Sequence, residues 1–179
     1  MTKPFRWCTL AGFMALFVLT LGGCGKQQQP RSEFAMGERV PIGQLTYSVI
    51  ETAWKTQLGE SFKVRNPEQR FLLIKVSVTN GTGKDVSIPL LTLEGPSGQT
   101  YRELPDGDGV ENWFGLLRTL SPGQTQQGNL VFDVPLTSYK LHVPDINDSG
   151  FEGFASVQIP LRMDADLPIQ SPINPESLK

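Results

Sequence analysis

Apolar and polar residues alternate in short runs through the middle of the chain. Within residues 45–54, Leu45, Tyr47 and Val49 fall on one side of an extended strand, and the polar residues between them fall on the other. Residues 71–79 begin as a continuous apolar run and end in alternation, which is typical of a central strand covered on both faces. Both runs have the two-residue period of a β-strand, so the pattern predicts a sheet at the centre of the fold.

Turn-forming sequences separate these runs at regular intervals. Asn-Gly at 80–81, Gly-Pro-Ser-Gly at 95–98 and Ser-Pro-Gly at 121–123 are each typical of a tight turn. Helical pattern is scarce, and its best candidate is a single turn within residues 109–117. Further strands are predicted at residues 40–42, 86–93, 99–103, 125–134, 139–143 and 154–161. About seven or eight short strands joined by turns predict an all-β fold, an antiparallel β-sandwich.

The N-terminal segment has a different pattern. Lys3 and Arg6 precede an uncharged, mostly apolar run at residues 7–21, and Cys24 follows it. As a helix this run would span about 22 Å, which is short of the ~30 Å hydrocarbon core of a bilayer. The run therefore predicts an export signal rather than a transmembrane helix, and residues 1–23 are predicted to be a signal peptide.

The end of this segment, Leu21-Gly22-Gly23-Cys24, resembles the lipobox of bacterial prolipoproteins. The resemblance implies a diacylglyceryl group on the Cys24 thiol, cleavage before Cys24 and acylation of the new amine. More than one acyl chain anchors a protein stably, so the implied partner is a membrane. The implied location is the extracytoplasmic face of the cell membrane or the outer membrane. Gly25 stands where an aspartate would resemble an inner-membrane retention signal, which leans toward the outer membrane.

Composition divides the rest of the chain into three parts. Residues 24–36 are polar with little periodicity and are predicted to be a lipidated tether. Residues 37–163 carry the strand patterns and are predicted to form one domain. Residues 164–179 are rich in proline with little apolar pattern, and are predicted to be a disordered tail.

Charge and the scarcity of reactive side chains restrict the chemistry. The formal net charge of −2 argues against nucleic-acid binding, which needs clustered Lys and Arg. The cysteines are Cys8, in the signal segment, and Cys24, so lipidation would leave no free thiol, disulfide or thiolate metal site. The one histidine, His142, is predicted to face out of its strand beside Lys140, without further His or Cys ligands. The sequence therefore predicts no enzyme activity, no metal and no cofactor.

Two acidic loops have some features of calcium sites. Residues 106–111 hold three carboxylates, and residues 145–150 match the opening of a calcium-binding loop. The twelfth position of the second loop is Ser156, which lacks the bidentate carboxylate, and no flanking helices are evident. Both loops are therefore predicted to be solvated turns.

The long connection at residues 104–117 is the predicted binding loop, because long loops on compact domains are often functional. Aromatic rings give contact area, and carboxylates can steer a basic or hydroxylated partner. Two interpretations stay open. Either the loop forms a contact face together with Trp54, or it folds down as a lid whose rings plug the sandwich end. The candidate binding residues are Asp106, Asp108, Glu111, Trp113 and Phe114.

The order of these pieces resembles the immunoglobulin-like "telokin-like" domain of bacterial lipoproteins and secreted proteins, a family of unknown function. The resemblance covers about residues 36–143, and its specific parts are the strand ending in asparagine, the glycine hairpin and the Pro-Gly-Gln turn. The matching segments are 36–40, 45–49, 71–80, 93–101, 120–125 and 128–135. It implies an immunoglobulin-like sandwich outside the cytoplasm, with no agreed catalytic residues.

Two functions from different classes follow. The first is a non-catalytic binding module of the bacterial envelope, whose ligand is an envelope protein or glycan that the sequence does not specify. The alternative is an extracytoplasmic hydrolase acting on envelope glycan through carboxylates. A cleft with two facing carboxylates would favour the hydrolase, and a flat apolar patch near Trp113 would favour the binding module.

Overall fold

The computed structural model describes residues 32–60, 62–147 and 150–162. The predicted signal peptide, Cys24 and the predicted tail at 164–179 lie outside these residues. The described chain is an all-β, immunoglobulin-like sandwich, which confirms the predicted fold class. In this part of the chain no helix is long and apolar enough to cross a membrane.

Eleven strands are present among the described residues, because several short edge strands add to the long ones that the sequence predicts. In chain order they are β1 (Glu33–Ala35), β2 (Val40–Ile42), β3 (Leu45–Lys55), β4 (Phe71–Asn80), β5 (Val86–Ser87), β6 (Thr92–Glu94), β7 (Thr100–Arg102), β8 (Thr119–Leu120), β9 (Thr125–Asp133), β10 (Tyr139–Asn147) and β11 (Gly150–Ile159).

The strands form two packed sheets and a small ribbon. One sheet has four strands in the order β2-β3-β4-β9, and the other has five in the order β1-β11-β10-β6-β7. The two-stranded ribbon pairs β5 with β8. The neighbouring strands are antiparallel except for β1, which runs parallel to β11.

The core lies between the two sheets, and β4 shows why. Leu72, Ile74, Val76 and Val78 alternate on the inner face of this strand and are at most 1% exposed. They belong to one cluster with inward residues of the facing sheet, such as Leu141. The sequence predicts that Leu73 or Ile74 is deeply buried. Ile74 is, and Leu73 points to the other face.

A second, smaller apolar cluster covers the outer face of the four-stranded sheet. Phe71 of β4 and Val131 of β9 pack there against Leu58 and Val110, which come from two long loops. The cluster explains why β4 begins as a continuous apolar run: its first residues are buried on both faces, as the sequence predicts.

The predicted start of the domain at residue 37 is wrong, because β1 lies within the predicted tether. Phe34 is only 9% exposed and joins the core. Ser156 N–H donates to Ser32 O at 2.7 Å, and Lys140 Nζ lies 2.7 Å from a Glu33 carboxylate oxygen. The pairing with β11, one buried ring and these polar contacts hold the short parallel edge strand.

The segment predicted as one strand at residues 86–93 is divided into β5 and β6. Ile88 and Leu91 between them are buried, but the chain leaves one strand ladder and joins another at this point. Pro89, which cannot donate a backbone hydrogen bond, lies in the gap. The division carries the chain from the ribbon to the five-stranded sheet.

Candidate binding site

The predicted binding loop is folded onto the sandwich, and Phe114 is only 3% exposed. The ring lies against Gly128 of β9, where an added Cβ would be 2.6 Å from a ring carbon of Phe114. The Arg118 guanidinium lies over the same ring, 5.0 Å from its centroid. The interpretation of Phe114 as a contact residue is therefore wrong, because this ring fills the core.

Trp113 packs on the outer face of the four-stranded sheet, in the second apolar cluster. Its indole lies against Gly107, where an added Cβ would be 2.0 Å from the ring. Trp54 pairs in register with Leu72 and packs on the core beside Tyr139, 6.4 Å between ring centroids. The two tryptophans thus lie on opposite faces of one sheet, and the predicted joint contact face is wrong.

The acidic residues of the loop are held by cations from the connection between β3 and β4. Lys63 Nζ lies 2.6 Å from Asp108 Oδ2, and this contact lowers the pKa of Asp108 and raises that of Lys63. Arg65 donates to Asp106 O at 2.8 Å and lies 3.7 Å from its carboxylate. Within the described residues, no three His, Cys, Asp or Glu side chains are grouped as a metal site requires.

These contacts join residues 58–60, 62–65 and 104–114 into one structure, which we call the lid. Leu58 and Arg65 exchange backbone hydrogen bonds of 2.9 and 2.8 Å. Gly109, with φ +76°, lies so close to Gly59 that an added Cβ would be 2.3 Å from its nitrogen. The lid is therefore closely fitted and covers one end of the outer sheet face.

A groove runs beside the lid over the outer face of the four-stranded sheet. It consists of two adjoining hollows of about 210 and about 680 Å³, and Leu73, Glu111 and Asn129 border both. The other residues that line the groove include Glu51, Ala53, Lys55, Glu60, Lys75 and Asn112. Of the candidate residues from the sequence, Glu111 alone lines this groove. Much of the remaining lining is missed because it comes from β3, β4 and β9, which are distant in sequence.

Local geometry fixes Glu111 above the groove. Asn112 adopts φ +48°, in the left-handed region that asparagine tolerates better than most residues. The Asn129 side chain donates to Glu111 O at 2.7 Å, and Asn129 N–H donates to Asn112 O at 2.8 Å. The turn of the lid is thereby attached to β9.

Among the described residues, the charged side chains on the strands of the groove are not in ion pairs, whereas Asp106 and Asp108 of the lid are. Glu51 and Lys75 are register partners on β3 and β4, and Lys55 lies further along β3. The ion pairs within the described residues use other side chains, so these three charges remain available to a ligand. The floor between them is Ala53 and Leu73, so the groove offers charges of both signs around a small apolar centre.

His142 lies on the outer face of the other sheet, as predicted, but it is largely covered there. Its Nε2 is 3.1 Å from a Glu94 carboxylate oxygen, and its ring stacks on Phe154 with 4.4 Å between centroids. Phe154 is itself 49% exposed. These contacts cross three neighbouring strands and give the histidine a place in the surface packing of the sheet.

Fold and site together define a small β-sandwich domain with a polar groove on one outer face. More specifically, the chain belongs to the family described as a domain of unknown function, DUF4352, whose model matches residues 34–150. No curated protein shows significant sequence similarity to the chain.

Solved structures of low sequence identity share the fold. The yjhA protein from Bacillus subtilis is 17% identical with a TM-score of 0.56, and the match covers 70% of this chain and 98% of that one. A presumed lipoprotein, ycdA, from Bacillus subtilis subsp. subtilis str. 168 is 13% identical with a TM-score of 0.56. This match covers 76% of the present chain but only 40% of ycdA. A functionally unknown protein from Listeria monocytogenes EGD-e is 15% identical with a TM-score of 0.53, over 72% and 84% of the two chains.

Proposed function

We propose that the protein is a lipid-anchored, extracytoplasmic binding domain of the bacterial envelope, without catalytic activity. The anchor is supported by the segment ending in Leu21-Gly22-Gly23-Cys24, which follows a basic start and an apolar run. The description of ycdA as a presumed lipoprotein agrees with this. A partner in the same compartment, an envelope protein or glycan, is the ligand that such an anchored domain meets.

The observation that carries the binding role is the groove beside the lid. Its charged side chains Glu51, Lys55 and Lys75 are not used in ion pairs within the described chain, whereas Asp106 and Asp108 of the lid are. Its walls come from well-packed strands, so the backbone that carries the ligand-binding groups is held in place before a ligand arrives. Such preorganisation lowers the entropic cost of binding.

The hydrolase alternative has one feature in its favour, because Glu51 and Glu111 line the same groove. Both are exposed, whereas the acid of a glycosidase normally lies in an apolar environment that keeps it protonated. Incubation of the protein with isolated envelope glycan tests this alternative. Release of sugar fragments that is abolished by both Glu51→Gln and Glu111→Gln would replace the binding proposal with the hydrolase.

Metabolic labelling with a fatty-acid analogue tests the anchor. The wild-type chain should carry the label and be found in the membrane fraction, and Cys24→Ser should abolish both. Cys8→Ser is a matched control, because Cys8 lies in the segment that is removed. Unchanged labelling of the Cys24→Ser chain would refute the anchor.

Cross-linking in intact cells tests the binding role. A photoreactive amino acid at position 75, in the groove, should capture a defined partner. The same amino acid at position 100, on the exposed edge strand β7 of the other sheet, is the control and should not. Identical products from both positions would contradict the assignment of the groove.

A further inference from the structure

One edge of β3 is unpaired along half of its length. On one side, β4 pairs with β3 from Leu45 to Lys55. On the other side, β2 pairs only with Leu45 to Tyr47, and Gly37 N–H donates to Val49 O at 2.9 Å. No strand among the described residues takes the remaining edge, residues 51–55. Every second backbone N–H and C=O of this segment therefore points away from the sheet.

This free edge is also the open border of the groove. The register of β3 shifts between Val49 and Glu51, which restarts the alternation of side chains after the part covered by β2. Beyond the shift, Glu51, Ala53 and Lys55 share the outer face and line the groove. A ligand lying on this border therefore meets both the backbone edge and the groove side chains.

The charges along the edge define which strand fits. Glu51 and Lys55 are exposed and flank the half-buried Ala53, and the ion pairs among the described residues do not include them. Such charges keep an apolar strand from adding to an edge. They favour an antiparallel strand with an acidic residue opposite Lys55, a small residue opposite Ala53 and a basic residue opposite Glu51.

We propose that the free edge of β3 binds an extended segment of a partner polypeptide by β-strand addition. The partner segment carries acidic, small and basic residues at alternate positions, read from its N-terminus. Backbone hydrogen bonds supply affinity that is independent of sequence, and the groove charges supply specificity. The inference deepens the proposed binding function and rests on it.

A second copy of the chain would also present complementary charges, because Glu51 of one copy would face Lys55 of the other. A folded second copy could meet this edge over only residues 51–55, which is a short contact beside the ~1,000 Å² that a stable interface between folded proteins needs. An extended segment can also lie in the groove and contact its side chains. This favours a different polypeptide as the partner.

Fluorescence anisotropy with a labelled peptide tests the proposal, using the full lipidated chain in detergent micelles. The probe is a short peptide with the acidic, small and basic residues at alternate positions and valine between them. We expect saturable binding, and a photoreactive group on the probe should cross-link to residues 51–55. Two N-methylated probes, blocked on alternate sets of backbone amides, should differ, because only one set faces the edge.

Charge exchange supplies the specificity control. Lys55→Glu should weaken binding of the probe by about five- to tenfold, because like charges then lie opposite each other. The double variant Glu51→Lys, Lys55→Glu should instead prefer a probe with exchanged charges. The proposal would be overturned if the wild-type chain bound the original and the charge-exchanged probes equally. It would also be overturned if N-methylation of the probe had no effect on binding.

Two further outcomes would assign the edge to another occupant. Self-association that Lys55→Glu abolishes, without peptide binding, would identify a second copy. Peptide binding only after deletion of residues 163–179 would identify the chain's own C-terminal segment. Each of these overturns strand addition by a partner, yet leaves the fatty-acid labelling and the groove cross-linking to decide the proposed function separately.

Discussion

At the scale of single residues, a buried ion pair fixes the connection between β7 and β8. Glu103 and Arg118 are 7% and 4% exposed, and the guanidinium donates to the carboxylate. The other carboxylate oxygen accepts the Leu91 N–H at 2.5 Å, and Arg118 Nε donates to Gly115 O at 2.5 Å. Burial raises the pKa of Glu103, while the Arg118 charge and the Leu91 N–H oppose that shift. The pair thereby ties both ends of the long connection to the segment before β6.

Removing one member of this pair should cost more stability than removing both. Arg118→Met leaves a buried carboxylate without its partner, so the free energy of unfolding should fall by about 3–5 kcal/mol. The double variant Arg118→Met, Glu103→Leu replaces the pair with apolar groups and should recover much of that loss. Urea unfolding of both single variants and the double variant measures the coupling. Strictly additive losses would contradict this account of the pair.

Phe114 should behave as a core residue. Phe114→Ala removes a buried ring next to Gly128, and the free energy of unfolding should fall by about 3–5 kcal/mol. Phe62→Ala is the matched control, because Phe62 is fully exposed in the lid. Its effect should stay within about 0.5 kcal/mol. Thermal or urea unfolding measures both variants. Equally small changes in the free energy of unfolding would show that Phe114 is not a core residue.

The sequence could not decide the place of the two adjacent rings. Trp113 and Phe114 fit a contact loop and a plug equally well when only their own segment is considered. The decision depends on Gly107 and Gly128, whose missing side chains leave the space that the rings occupy. Gly128 lies in β9, and no local sequence pattern indicates that it faces Phe114.

At the scale of elements, alternation predicted the long strands and missed the short ones. β4 buries one complete face and β3 and β9 bury most of one face, so their two-residue period is visible in the sequence. β1 has a single buried residue, Phe34, and its partner strand is distant in sequence. Parallel pairing of this kind has no turn to signal it. The groove was missed for the same reason, since its residues meet only after the strands have paired.

The lid is held over the outer sheet face by apolar packing and backbone hydrogen bonds, and its exposed ion pairs add a smaller contribution that acid should remove. The contact with Lys63 lowers the pKa of Asp108 from its ordinary value of 3.8. The stabilisation of the lid by this ion pair is therefore fully present above pH 3.8. It is lost as the pH falls through the lowered value and the carboxylate is protonated. In a Trp54→Phe background, the emission of Trp113 should therefore shift to longer wavelength on acidification.

Two variants separate this lid transition from general acid unfolding. Asp108→Asn should show a smaller acid-induced shift of the Trp113 emission than the wild type, because the ion pair with Lys63 is absent. Glu111→Gln should keep the acid transition of the wild type, since Glu111 is outside the Lys63 and Arg65 contacts. Far-ultraviolet circular dichroism should stay constant over the transition. A loss of strand signal at the same pH would show that the whole sandwich, and not the lid, responds.

At the scale of the whole molecule, β1 connects the proposed anchor to the fold. Ser32 is eight residues after Cys24, so the intervening chain can span about 29 Å at full extension. The first contacts among the described residues are those of Ser32 and β1 with β11 and of Glu33 with Lys140. Any force along the tether therefore acts first on this parallel edge strand. It reaches the other strands of the five-stranded sheet only through the pairing of β1 with β11.

A chain that begins at residue 37, where the sequence pattern places the domain boundary, should be less stable than one that begins at residue 27. The shorter chain loses β1, and the ring of Phe34 is then missing from the core, which should cost about 3–5 kcal/mol. Phe34→Ala in the longer chain should reproduce most of this loss, because the buried ring contributes more than the exposed pair of Glu33 and Lys140. Glu33→Gln is the control and should change the urea midpoint little. Equal midpoints for the two lengths would show that the sandwich is complete without β1.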